Sequence, residues 1–210
     1  MVRMTDLHHS WERAWKGVGG RGDGNSVFRL LVAQYAEPHR KYHSQQHLAE
    51  CLAAFETVRD LPPHPPEVEA ALWFHDAIYD VKRHDNEERS ANWARSALVE
   101  AGAPIASADR VQTLVLVTRH TAAPVTLDEQ VLVDIDLSIL GAPKPRFVEY
   151  EQQIREEYAH VPGWLFRRKR RAILRAFLDR PRIYSTTHFH DALEELAREN
   201  LHRSISGNAG

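Results

Sequence analysis

Two residue types that bind metal ions stand side by side in an apolar stretch: His75 and Asp76 lie within WFHDAIY, residues 73–79. An ionised carboxylate that is buried without a partner is costly, so such groups are usually paired or bound to a metal ion. Apolar spacing with Val68 and Leu72 predicts one helix that runs through this stretch, with His75 facing the core. Because adjacent helical residues point about 100° apart, His75 and Asp76 could flank one ion.

Three other groups in the sequence offer further ligands. His43 and His47 are four residues apart, which on a helix places them on one face about 6 Å apart. His120 follows a predicted helix. Asp134 and Asp136 share another helix but point about 200° apart, so they cannot both face a site well. The apolar stripe around Asp136 favours it, and Asp134 is then expected at the surface or as a residue that orients a ligand.

Imidazole and carboxylate ligands together suit divalent Mn, Fe, Co, Ni, Zn or Mg and do not select among them. One such ion can lower the pKa of a coordinated water from about 15.7 toward 7. If two ions bind, Asp76 could bridge them at about 3.5–4 Å, the spacing used to hold both oxygens of a phosphoryl transfer. The sequence therefore predicts one or two divalent ions.

The elements that must position these residues are helical. Apolar periodicity near 3.6 predicts about eight to ten helices in one all-α domain over residues 1–210, with a frayed tail at 205–210. Residues 1–24 form an N-terminal helix and a glycine-rich loop, GVGGRGDG, which lacks the features of a phosphate-binding loop and is interpreted as a flexible connector. Asp85 with Glu88 and Thr126 with Glu129 are predicted capping boxes.

Composition excludes several classes of protein. A formal net charge of −2 gives no global attraction to nucleic acid or to an anionic membrane. No run of about 18 apolar residues is present, so no membrane span is expected. Cys51 is the single cysteine, which excludes an internal disulfide and indicates a reducing compartment, so we expect a cytoplasmic protein.

Two motifs imitate functional sites. His190-Asp191 repeats the His-Asp pair, but it lies in the first turn of the last helix, where an aspartate is favoured by the helix dipole. The basic run RRKRR, residues 167–171, lies in an amphipathic helix and is interpreted as a solvated face. We therefore expect no specific nucleic-acid binding.

The order His, then His-Asp, then Asp on a helical chain resembles the HD superfamily of metal-dependent phosphohydrolases, most closely a small bacterial branch of predicted HD phosphohydrolases. The resemblance covers nearly the whole chain, and its motifs are YAEPHRKYH at 35–43, His47-Leu48, WFHDAIY at 73–79, DNEERSA at 85–91, DIDLSILG at 134–141 and ARENL at 197–201. It implies that His47, His75, Asp76 and Asp136 bind the metal.

The resemblance also implies roles in catalysis. Tyr42-His43 followed by His47 is similar to the first motif of the cyclic-nucleotide phosphodiesterases, in which the first histidine protonates the leaving group. By that analogy His43 is a general acid or supports a ligand, although Ser44 stands where that motif usually has asparagine. Glu87 is the candidate for orienting the attacking water.

Three residues are candidates for substrate binding. Arg40 and Arg119 could bind a substrate phosphate, with a solvated surface position as the alternative for Arg40. His120 could bind a phosphate or a second ion, or simply interact with the end of a helix.

The sequence thus predicts a phosphohydrolase that cleaves a phosphomonoester or phosphodiester, of a nucleotide or another small organic phosphate, with metal-activated water. The alternatives are a non-catalytic module that binds a nucleotide or metal for signalling, and a di-iron oxygenase on the same helical core. The expected partner is a small phosphorylated substrate; a homo-oligomer is left open.

Overall fold

The computed structural model describes residues 4–207, and within that range it contains helices and turns but no strand. This confirms the predicted all-α class. The helices are α1 (Met4–Gly17), α2 (Asn25–Tyr35), α3 (Gln45–Val58), α4 (Pro65–Phe74), α5 (Asn86–Glu100), α6 (Ile105–Val117), α7 (Leu127–Asp136), a 3-10 helix (Leu137–Gly141), α8 (Lys144–Glu157), α9 (Gly163–Leu178) and α10 (Thr187–Ile205).

The chain divides into two compact units, one that ends at Val133 and one that begins at Asp134. That the two units make a single domain over residues 1–210 stays a prediction. No helix within the described range combines the length and the apolarity that crossing a bilayer requires.

Helix α4 is the central element of the first unit, where it packs against α1, α3, α5 and α6. Pro65 and Pro66 occupy its first turn, where proline costs no hydrogen bond. From Glu67 to Phe74 every residue is buried. When a helix is buried on all sides, its polar side chains need hydrogen-bond partners within the protein.

Two buried carboxylates of α4 have such partners. Glu69 accepts hydrogen bonds from the Ser10 hydroxyl at 2.6 Å and from Nε of Arg13 at 2.9 Å. The Ser10 oxygen in turn accepts the indole N–H of Trp73 at 3.1 Å. Glu67 accepts from Arg110 at 2.7 Å. These bonds fix the rotation of α4 against α1 and α6, and hence the direction in which its C-terminus points.

The glycine-rich loop is folded onto two tryptophans and is not the free connector that the sequence suggests. The indole N–H of Trp11 donates to the Gly24 carbonyl at 3.1 Å, and that of Trp15 donates to the Arg21 carbonyl at 3.2 Å. Gly24 has φ +64°, and a Cβ on it would lie 2.8 Å from the Trp15 ring. Glycine is therefore required there by both backbone conformation and space.

Helix α10 is the central element of the second unit and packs against the 3-10 helix and α9. The buried Asn200 amide donates to the carbonyls of Leu140 and Ala142, both at 2.9 Å. Glu194 accepts from the main-chain N–H groups of Ile183 and Tyr184. Polar residues of α10 thus hold the segments on either side of it.

One of the two predicted capping boxes is confirmed. Thr126 and Glu129 exchange side-chain to main-chain hydrogen bonds, both at 3.3 Å. The other is wrong: Asp85 makes no side-chain cap and instead pairs with Arg83, and Glu88 pairs with Arg119.

Candidate metal centre

The predicted helix through residue 79 is wrong, because α4 ends at Phe74. His75 keeps helical angles as the C-cap, and the Ala77 N–H turns back to the Phe74 carbonyl at 3.0 Å. Residues 75–78 form a turn, which leads into the irregular segment at 79–80. His75 and Asp76 therefore leave the chain from a helix end, where side chains can converge more freely than on a continuous helix.

Side chains from residues 35–40, which precede α3, form hydrogen bonds with main-chain groups that would pair with each other if α4 continued. The Tyr35 hydroxyl accepts the Asp76 N–H at 3.3 Å. The guanidinium of Arg40 donates to the carbonyls of Asp76 at 2.5 Å and Ala77 at 3.0 Å. Because polar main-chain groups in a protein interior must be paired, these contacts stabilise the turn against a return to helix.

Helix α5 supports the turn from the other direction. The Ser90 hydroxyl, fully buried, accepts the Ile78 N–H at 2.9 Å. The Asn86 side chain accepts the Asp80 N–H at 3.1 Å and donates to the Asp80 carbonyl at 2.9 Å. Asn86 and Ser90 lie four residues apart on one face of α5, so one face of α5 holds both sides of the turn.

Three ligand atoms converge at the end of α4. Nε2 of His47 lies 3.1 Å from Nε2 of His75. Oδ2 of Asp76 lies 3.1 Å from Nε2 of His75 and 3.5 Å from Nε2 of His47. The two imidazoles are buried, and the aspartate side chain retains 17% of its exposure, so solvent reaches the cluster at the carboxylate.

The tautomer of His75 follows from its second nitrogen. Nδ1 lies 2.7 Å from the Leu72 carbonyl oxygen, which can only accept, so Nδ1 carries the proton. In the neutral ring Nε2 then presents its lone pair to the cluster. A carbonyl that fixes the far nitrogen is the usual arrangement behind a metal-binding histidine.

The spacing of these atoms fits a bound cation. Two ligand atoms about 2.1 Å from one ion, at angles of about 90° to 110°, lie about 3.0 to 3.4 Å apart. Two of the observed separations, both 3.1 Å, lie in this range, and the third, 3.5 Å, lies just above it. Positive charge is also what the carboxylate requires. Burial raises the pKa of Asp76, but protonated His75, His43 and His47 outweigh burial and hold it well below its ordinary value.

Cys51 is a neighbour that the sequence reasoning passed over. It follows His47 by one turn of α3, is buried, and has its sulfur 3.7 Å from both ring nitrogens of His47. The ligand atoms of Cys51, His47 and His75 lie within 4.8 Å of one another. The i, i+4 spacing from His47 was the signal that could have identified it.

His43 lies just before α3 and not on it, because the helix begins at Gln45 with Ser44 as its N-cap. Its half-buried ring stacks on Tyr79 with centroids 4.1 Å apart and lies 6.0 Å from the His47 ring. The predicted proximity of the two histidines is therefore met, although by a turn. Ser44 has a structural role here, since its side chain accepts the Gln46 N–H.

Arg40 is enclosed within the protein and is not available to solvent as the sequence interpretations require. Its side chain has no exposed surface, and besides the two carbonyls of the turn it donates to the Glu37 carboxylate at 3.0 Å. A guanidinium enclosed in this way supports the turn and cannot reach a substrate phosphate or solvent. Both sequence interpretations of Arg40, a phosphate ligand and a solvated residue, are therefore corrected.

The other candidates of the first unit lie around α5 and α6. Glu87 is half-buried in the first turn of α5. Arg119 is exposed and pairs with Glu88 at 3.1 Å. His120 is half-buried after α6 and adopts a left-handed conformation with φ 54°. Their roles in binding or catalysis stay predictions.

The two aspartates of α7 differ sharply. Asp134 is fully buried and accepts hydrogen bonds from the main-chain N–H groups of Ser185 (2.8 Å) and Thr186 (2.7 Å) and from the Thr186 hydroxyl (2.7 Å). It is neither a surface residue nor an orienter of a ligand, but a structural tie within the second unit. Asp136, half-buried at the end of α7, stays the predicted ligand.

The second His-Asp pair has local partners. Nδ1 of His190 accepts from Arg182 at 3.2 Å, and Asp191 is exposed.

Comparison of the chain with protein-family models, curated proteins and solved structures finds no match. The functional interpretation therefore depends on the chemistry of the cluster formed by His47, His75 and Asp76, called the metal cluster below.

Proposed function

We propose that the chain is a metal-dependent phosphohydrolase. The observation that carries the proposal is the convergence of two imidazole nitrogens and a carboxylate oxygen within 3.5 Å, open to solvent on one side. A structural metal site would be closed on all sides, whereas a catalytic one leaves a position for water or substrate. The partial exposure of Asp76 supports the second kind.

His47, His75 and Asp76 would hold the first ion, and the sequence pattern adds Asp136 as a further ligand. A divalent ion in such a site supplies an acidified water and neutralises charge on phosphoryl oxygens. The donor set is compatible with Mn, Fe, Co, Ni, Zn or Mg, and the nearby Cys51 thiol favours the softer members of that series. Whether a second ion binds depends on His120.

In this proposal His43 protonates the leaving oxygen. Stacking on Tyr79 fixes the plane of its ring, and its partial exposure leaves it accessible to a substrate. A protonated imidazole can donate its proton to a leaving oxygen in general acid catalysis. Glu87, with a half-buried carboxylate on α5, remains the candidate for orienting water.

A small phosphorylated molecule such as a nucleotide is the proposed substrate. Arg119 and His120 follow α6, and an exposed guanidinium can bind a phosphate oxygen if it exchanges its ion pair with Glu88. The ester is a phosphomonoester or a phosphodiester.

Metal content is the first test. Elemental analysis of the purified protein is expected to find a divalent ion in the wild type and to lose it in His75→Ala and Asp136→Ala. His190→Ala, which removes the histidine of the other His-Asp pair, is the matched control and should retain the ion. Equal metal content in all four proteins would refute the site.

Turnover is the second test. A panel of phosphate esters, assayed with each divalent ion, should reveal hydrolysis that His43→Ala and Glu87→Gln reduce while they keep the metal. Nucleotide binding without hydrolysis of any ester would favour a signalling module. Oxygen consumption by the iron form would instead favour an oxygenase.

A further inference from the structure

Helix α9 in the second unit carries a charge that its surroundings do not balance. Its 16 residues include six lysines and arginines and no acidic residue. One of the six, Arg170, is used internally: it pairs with Glu151 and donates to the Tyr150 hydroxyl at 2.6 Å. The other five are exposed.

Four of those five lie on one side of the helix. At about 100° per residue, Arg167, Arg168, Arg171 and Arg175 all point within about 60° of the direction of Trp164. We call these four the arginine stripe. Together with Trp164, Ala172 and Ile205 they line a groove. Within residues 4–207 none of the four forms an ion pair.

Unpaired like charges three and four residues apart destabilise the helix that carries them. Solvation of this face relieves that repulsion only in part. A bound polyanion would relieve it fully. Guanidinium groups also bind phosphate oxygens through two parallel hydrogen bonds, which lysines cannot do. The charge and residue type therefore favour a ligand with repeated phosphates.

Trp164 adds a second kind of contact. Its indole is 63% exposed at the N-terminal end of the stripe, although a large aromatic side chain on a surface is costly to solvate. An exposed aromatic ring beside a positively charged groove is the combination that binds single-stranded nucleic acid, since each base can stack on the ring while phosphates follow the groove.

The distribution of apolar residues disfavours a membrane as the ligand. The other large exposed apolar residue of α9, Ile173, points about 180° from Trp164. An interfacial membrane helix needs a continuous apolar face opposite its basic face. Here the indole lies among the arginines themselves.

We propose that the arginine stripe and Trp164 bind single-stranded nucleic acid, RNA or DNA, without sequence preference. This proposal is compatible with the expectation of no specific nucleic-acid binding, because contacts to phosphates and ring faces carry no sequence information. What changes is the interpretation of the basic run, which becomes a binding surface. The proposal is independent of the metal cluster.

Fluorescence anisotropy of labelled U and dT oligomers of about 12 nucleotides with the full-length protein tests this proposal. Four phosphate contacts predict that affinity falls about 50-fold between about 50 and 200 mM salt. Arg171→Gln with Arg175→Gln should reduce that fall to about 7-fold. Trp164→Ala should weaken binding at least about 5-fold through lost stacking.

Lys169→Gln is the matched control, since Lys169 is exposed on the same helix but points about 140° from Trp164. It should bind like the wild type, as should His75→Ala, which separates this proposal from the metal site. Comparison of the U and dT oligomers shows whether RNA or DNA binds more tightly, and binding of either supports the proposal.

Three results would overturn the proposal. The first is no binding of either oligomer at low salt. The second is equal weakening by Lys169→Gln and by the stripe variants. The third is a polyanion interaction that does not depend on Trp164. It would be seen if Trp164→Ala and the wild type sedimented equally with phosphatidylserine vesicles, or if polyglutamate competed equally with the oligomer for both proteins. Far-UV circular dichroism of each variant confirms that α9 is intact.

Discussion

Replacing Arg40 with methionine tests whether this residue supports the turn at the metal cluster. The change keeps most of the apolar stem and removes every donor. The part-buried carbonyl of Asp76 and the buried carbonyl of Ala77 then lose their partners. Each unsatisfied buried group costs about 1–3 kcal/mol, so the two together predict a loss of about 2 to 6 kcal/mol. The Glu37 contact adds little, because that carboxylate is 36% exposed.

Urea unfolding gives this loss as a lower midpoint with an unchanged slope. Lys41→Met is the control, because Lys41 is exposed and its ammonium donates to the Pro38 carbonyl. Metal affinity and stability should both fall in Arg40→Met, and neither should fall in Lys41→Met. If Arg40 instead bound substrate phosphate, the variant would raise KM at unchanged stability. A difference below about 0.5 kcal/mol between the two variants would refute the structural role.

Three further changes test other contacts. Burial raises the pKa of Glu194, but main-chain N–H donors and Arg198 lower it overall; its stabilising contribution is therefore present above about pH 4.3 and lost as pH falls below that value. Glu194→Gln should flatten the acid dependence of urea unfolding, unlike Glu195→Gln, and an unchanged profile contradicts this. Cys51→Ser should lower Zn²⁺ affinity about ten-fold but Mn²⁺ affinity little, as measured by chelator competition; equal losses would show that the thiol only packs. Asp134→Ala should cost about 2 to 5 kcal/mol with metal content unchanged, and the reverse result would make Asp134 the ligand.

Local sequence patterns were sufficient to predict most of the helices. Periodic apolar residues locate the helices because each packs one face against the core of its unit, and that face repeats every 3.6 residues. Thr126 and Glu129 mark a helix start because their bonds are local. The predicted capping box at Asp85 is wrong because Arg83, two residues away, binds its carboxylate. Spacing alone does not reveal such competition.

Residue chemistry predicted part of the candidate site. A histidine and an aspartate in an apolar stretch pointed to a ligand group with His47, and the three side chains do lie together. The two aspartates of α7 show the limit of this reasoning. Both interrupt apolar sequence, but only the fold reveals that Ser185 and Thr186, about 50 residues later, satisfy Asp134.

The end of α4 shows why the geometry of the cluster could not be read from periodicity. WFHDAIY is apolar enough to continue a helix, and nothing within it ends one. The helix ends because Tyr35, Arg40 and Ser90, which are distant in sequence, take the main-chain groups of residues 76–78.

These three residues lie in segments that the resemblance also marks, around 35–43 and 85–91. Their positions there now have a physical explanation. A buried turn needs side chains to pair its main-chain groups, and this turn carries the candidate ligands His75 and Asp76. We therefore interpret the motif as the two proposed ligands together with the residues that hold their backbone out of helical form. Replacing the supports should damage the site as surely as replacing His75.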